Sequence, residues 1–217
     1  MDIITDYDKL SERCDEVIDL RKESQLVQKI ILDLKKAIRE NNLVGLAANQ
    51  LGYDKRIFVI AFGKDLRTFI NPIISQAEGL DTSIETCPSL PDKRYLRLRN
   101  SKVSVTYMDP LGKVLTAKGL VGRAAFVAQE LIDHLEGVLL SDIGLELDSD
   151  FDAATVDERA ELIKAYCDAM DLKLTDLNKA VEDDPELKKI SDATKLLNKI
   201  QTGEVTVEVV ESKVKKK

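Results

Sequence analysis

The stretch AQELIDHLEGV, residues 128–138, sets a carboxylate at Glu130 four residues before His134, the one histidine in the chain. On a helix of 3.6 residues per turn, side chains four apart share a face. A carboxylate oxygen and an imidazole nitrogen so placed are acceptable donors for a divalent cation. The usual hydrolytic form of such a helix is His-Glu-x-x-His, two imidazoles with a general-base glutamate beside the first. Here Glu130 stands in the first histidine's place and Leu131 in the glutamate's, and an alkyl group accepts no proton. Sliding the motif to use Gln129 does not repair it, because Gln129 and His134 are five apart, about 140° off a common face. Glu136, two residues past His134, lies about 200° around the helix and points elsewhere.

Two more stretches carry reactive groups: VGLAANQLG (44–52), with the Gln50 amide, and ETCPSLP (85–91), with the Cys87 thiol. Neither means much alone. In order and spacing, however, the three together resemble the peptide deformylases, which carry Gly-x-Gly-x-Ala-Ala-x-Gln, then Glu-Gly-Cys-x-Ser, then His-Glu-x-x-His. FINPII, LPDKRYLRLRNSKVSVTYMDPLGK and DHLEGVL look like the same family in register, so the resemblance covers about residues 1–145. The family hydrolyses the formyl group from the N-terminal methionine of new bacterial-type proteins.

The resemblance implies that Cys87 and His134 are metal ligands, that Glu130 falls on the third ligand position, and that Gln50 helps hold an oxyanion. It also implies a substrate groove along Gly45, Leu46, Gln50 and Thr86. Two readings of the metal remain open. Cys87, Glu130 and His134 hold a single Zn²⁺ or Fe²⁺, its charge more neutralised than with one anionic ligand; or Glu130 turns aside to a lysine or arginine and no cofactor binds. Catalysis is damaged at further points. Loss of the base at Leu131 removes typically 10²–10⁴-fold. Pro88 follows the ligand cysteine, where the family donates a backbone N–H to the oxyanion, and proline has none. One such donor is worth ~10²–10³-fold. Together these amount to about 5–9 kcal/mol of barrier if additive. Leu43 and Thr86 also replace glycines at places of close approach. Glu85 reads as structural.

The elements that must position these groups follow from periodicity. QLVQKIILDLKKAIRE (25–40) predicts an amphipathic helix with Leu26, Ile30, Leu34, Ala37 and Ile38 on one face. Residues 56–62, 68–74 and 102–109 predict strands, with DPLGK (109–113) as a turn joining two of them. A second helix is expected from about Gly122 to Gly137. The order predicts an α+β domain over residues 1–147. Beyond it, 148–217 reads as an acidic helical extension with Leu187, Ile190 and Leu197 along one stripe, closing on a strand-like EVTVEVVES and a basic KVKKK. Those stripes pack on the domain, or on each other, or dock a protein partner in a larger assembly.

Composition limits the rest. With 217 residues, 44% hydrophobic and 33% charged, the chain is expected to be a soluble globular protein. A net charge of −7 argues against general nucleic-acid binding. No apolar run reaches the ~20 residues of a membrane span. Three cysteines at unrelated spacings argue for a reducing, cytoplasmic compartment. With its ligand, base and oxyanion donor replaced while core positions persist, the leading expectation is a catalytically degenerate pseudoenzyme. It would be a structural or interaction component, in a phage particle (a virion location) if phage-encoded. The alternative is an active metal-dependent deformylase with Cys/Glu/His ligation.

Overall fold

The structure, a computed structural model, describes residues 2–79, 81–147 and Tyr166. The described residues fall within one unit, Met1–Tyr166. After a single turn of helix (α1, Tyr7–Leu10), the first long element is α2, Ser24–Glu40. Its inward stripe is Val27, Ile30, Ile31, Leu34, Ala37 and Ile38. Leu26, expected on that stripe, is instead 41% exposed, because the apolar arc is centred on Ile30 and Leu34 and takes in Val27 and Ile31.

Strands β1 (Gly45–Ala47), β2 (Ile57–Phe62), β3 (Asp65–Glu78), β6 (Lys102–Met108) and β7 (Val114–Val121) form an antiparallel sheet in the order β1-β2-β3-β6-β7. The run IFVIAF of β2 is apolar throughout because both of its faces are covered. Ile57 and Val59 meet α2, together with Leu46 and Ile70. Phe58 and Ile60 join Phe69, Val105 and the second long helix, α3 (Arg123–Leu135). The sheet is thus a layer between two helices. Leu46, expected along the groove, turns its side chain fully into the α2 core, since alternation on β1 sends it to the opposite face from the α3 side.

The expected DPLGK turn joins β6 to β7: Asp109 accepts from the backbone N–H groups of Leu111 and Lys113, and Gly112 supplies a φ of 84°. A second sheet, β4 (Asp81–Cys87), β5 (Leu90–Arg99) and β8 (Leu145–Leu147), carries the thiol. Periodicity passes over β4 because its buried positions, Ser83, Glu85 and Cys87, are polar or small. A one-turn helix, α4 (Leu140–Ile143), precedes β8. Among the described residues no helix is long and apolar enough to cross a membrane.

Tyr166 lies beyond the expected domain limit at 147, yet it is buried. Its hydroxyl donates to the Ile143 carbonyl at 3.1 Å and accepts from Arg97, whose guanidinium also lies over the ring. The remaining features expected of 148–217, its helical stripes, terminal strand and partner surface, lie outside the described residues.

Candidate metal centre

Three segments far apart in sequence meet at His134. Cys87 ends β4 at a register shift, where the strand turns through Pro88 and Ser89 into β5. Glu130 and His134 project from α3 one turn apart. Gln50 belongs to a 3₁₀ turn, Ala48–Leu51, that follows β1. Asn49, in the same turn, donates to the His134 carbonyl at 2.6 Å and so ties the turn to the helix.

The donor atoms converge. His134 Nε2 lies 3.1 Å from Cys87 Sγ and 3.1 Å from Glu130 Oε1. Ligand atoms of Cys87, Glu130 and His134 all lie within 4.8 Å of one another. Glu130 therefore does not turn aside to a lysine or arginine, as one reading of the sequence had it; α3 holds its carboxylate against the imidazole. The contact between Oε1 and Nε2 is close but not aligned as a hydrogen bond, and Oε1 has no other hydrogen-bond partner among the described residues. A thiol sulfur, a carboxylate oxygen and an imidazole nitrogen facing one point are a donor set for Zn²⁺ or Fe²⁺, and the residues fit such an ion. His134 Nδ1, buried on the far side, has no hydrogen-bond partner among the described residues.

The electrostatics follow from burial. Burial, reinforced by the Glu130 carboxylate, drives the Cys87 thiol up, and the His134 imidazole opposes this without overcoming it. Burial, the largest single influence, raises the Glu130 carboxyl, but His134, Arg99 and Cys87 together outweigh it and hold the group below the usual carboxylate range. For His134 the sense is reversed: burial disfavours the imidazolium, while the Glu130 carboxylate and Cys87 stabilise it and raise its pKa. Without a cation, Glu130 and His134 thus favour one another's charged forms, while burial favours the neutral thiol at Cys87.

Gln50 is placed by its neighbours. Its Oε1 accepts from the Ala47 N–H at 2.9 Å, which leaves the amide nitrogen to donate to Cys87 Sγ at 3.4 Å and Ser89 Oγ at 3.2 Å. Leu131, 1% exposed, sits in the core between α3 and the sheet. Pro88 is half-buried and Thr86 exposed at the edge of a cleft of about 660 Å³. That cleft is lined by Val44, Gly45, Ile84, Thr86, Phe126 and Glu130, among others. Its apolar walls account for the exposure of Val44 and Ile84.

Sequence reasoning missed one set of residues entirely. Arg99, 3% exposed, donates from Nε and Nη2 to both oxygens of Glu85, at 2.8 and 2.7 Å, and from Nη1 to Asp133. It clamps the strand carrying Cys87 to the helix carrying His134. Glu85 is structural, as expected, and Glu136 pairs with Arg13 and Arg56, away from the donors. Nothing in RYLRLR distinguishes Arg99 from its neighbours, because both of its partners are distant in sequence.

Cys87 and Glu130 line the cleft and His134 lies buried behind them, with Glu130 and His134 one turn apart on α3: the donor set of a single-metal centre. The family model for polypeptide deformylase matches residues 1–147, and the chain belongs to the peptide deformylase family. Peptide deformylase 1 of Clostridium perfringens is 38% identical over 141 residues, which cover 63% of this chain and 92% of that protein. The peptide deformylase of Caldicellulosiruptor bescii is 36% identical over 163 residues, 71% of this chain and 92% of its own length. Among solved structures, PDF from the Vibrio parahaemolyticus bacteriophage VP16T, in complex with actinonin, is 34% identical. It superposes with a TM-score of 0.58 over 64% of this chain and 99% of its own. Peptide deformylase from Thermotoga maritima gives 0.59 at 29% identity, over 65% of this chain and 94% of its own.

Proposed function

We propose that this chain is a metal-dependent deformylase that removes the formyl group from N-terminal formyl-methionine, with Cys87, Glu130 and His134 holding one Zn²⁺ or Fe²⁺. The convergence of those three donors, two of them lining the cleft, carries the reading. The curated relatives, named as deformylases, support hydrolysis over the chemically silent role that Leu131 and Pro88 alone suggest. A cation held there supplies Lewis acidity toward a carbonyl oxygen. Beside it, the Gln50 amide nitrogen donates to Cys87 Sγ and Ser89 Oγ, and by exchanging one of these bonds it would stabilise charge developing on that oxygen. Arg99 holds β4 and α3 in register, and the apolar walls of the cleft limit water around a bound peptide end. Leu131 takes no proton, so turnover is expected to be slower than with a glutamate there by ~10²–10⁴-fold.

Metal analysis of protein purified without chelator, run beside formate release from a formyl-methionyl tripeptide, tests this. About one metal per chain and slow hydrolysis, both abolished by Cys87→Ala, are the expected results. Protein without metal, and with no Cys87-dependent hydrolysis, overturns the reading. One observation favours a second reading: Leu131 is wholly packed in hydrocarbon, which leaves a centre that binds formylated peptide ends without cutting them. Stoichiometric metal and peptide binding with no formate release select it.

A further inference from the structure

The charged groups lining the cleft are three cations, Lys93, Arg94 and Arg123, and three acids, Glu85, Asp92 and Glu130. Most are committed. Glu85 is held by Arg99, Glu130 faces His134, and Lys93 pairs with Glu146 at 2.9 Å. Arg123 differs: its side chain is exposed, and no described residue forms an ion pair or hydrogen bond with its guanidinium. It stands on the same face of α3 as Phe126, Val127 and Glu130, at the spacing i, i+3, i+4, i+7. The helix rise puts Arg123 about 10 Å from Glu130 along the wall. An extended peptide covers that distance in about three residues. A formylated end placed at the donors therefore brings its second or third residue within reach of the guanidinium, after the apolar patch of Phe126 and Val127.

We propose that Arg123 makes the cleft selective for peptides carrying an acidic side chain at the second or third residue. This rests on the cleft being the site of the formylated peptide end, as in the reading above. An arginine fork offers a carboxylate two parallel N–H donors, a geometry a lysine does not supply. The facing acid, Asp92, lies past Pro91 on β5 rather than in the helical row, and it sets the competing outcome: a preference for basic peptides.

The test measures binding rather than turnover, so a slow or silent centre does not obscure it. Fluorescent formyl-methionyl peptides that differ only at residues two and three (Asp-Asp, Ser-Ser or Lys-Lys) are titrated into the full chain at low and high salt. The Asp-Asp peptide is expected to bind about three- to ten-fold more tightly than Lys-Lys, a gap that narrows with salt. Arg123→Gln flattens the ratio and Arg123→Glu inverts it. Equal affinities across the wild-type series, or a preference for Lys-Lys, overturn the proposal while leaving the peptide cleft intact. Binding of none of the three overturns the cleft reading and this proposal with it.

Discussion

Gly45 and Leu131 are packed so closely that a methyl group added to the glycine would lie 2.7 Å from Leu131 Cδ1. The leucine at the family's base position is thus a wedge between β1 and α3, not a surface replacement. The same methyl would lie 3.1 Å from both Val127 Cγ1 and the Val59 carbonyl oxygen. Gly45→Ala is expected to destabilise the protein by about 1–3 kcal/mol, the usual cost of overpacking. Urea unfolding measures this, and Leu131→Ala should cost less in the Gly45→Ala background than in wild type, a favourable coupling in a double-mutant cycle.

Leu131→Glu restores a carboxylate beside the donor set. Its expected effect is a rise in formate release of ~10²–10⁴-fold over wild type. Stability should fall, by at least ~1–3 kcal/mol for a buried polar group without a partner. A folded, metal-loaded variant with an unchanged rate would show that proton acceptance does not limit this centre.

Arg99 joins two acids from different elements, and both lose their buried partner when it is removed. Arg99→Ala is expected to destabilise by about 3–5 kcal/mol, since one side of a buried ionic cluster is left uncompensated. Arg99→Met with Glu85→Gln should recover much of that, because the desolvated charge goes with its partner. A thermal melt of the single and double variants distinguishes a clamp from a dispensable contact.

Cys14 gives a pH test away from the centre. Burial, reinforced by the nearby Asp54 carboxylate, pushes its thiol up to about 12. At pH 8 the thiolate fraction is then about 10⁻⁴, and thiolate is the reactive form. The sign is clear: reactivity stays low through neutral pH and rises only toward the raised pKa. Native protein should leave Cys14 unalkylated by iodoacetamide at pH 8, with full labelling in denaturant, read by peptide mapping. Rapid labelling of the native protein would contradict its packing beside Ala128 and Leu135.

Much was already legible in local pattern. The 3.6-residue spacing of Ile30, Leu34, Ala37 and Ile38 marks α2, and the spacing of Glu130 and His134 puts two donors on one face. Asp109 and Gly112 mark the β6–β7 turn. Each depends on residues within one or two turns of each other, where backbone geometry alone decides which side chains meet. Cys87, Gln50 and the opening motif were recognisable only together, through their order along the chain.

Other features depended on partners far away in sequence. Whether Glu130 faced the histidine or a stray cation, and that Leu46 turned inward while Leu26 stayed out, required the layers to be assembled. So did the burial of Arg99 between Glu85 and Asp133. Periodicity reports which face of an element is apolar. It cannot report which charges that face will meet once two sheets and a helix close on one another, because that pairing is set by contacts between separate elements, 14 residues apart for Glu85 and Arg99 and 34 for Arg99 and Asp133.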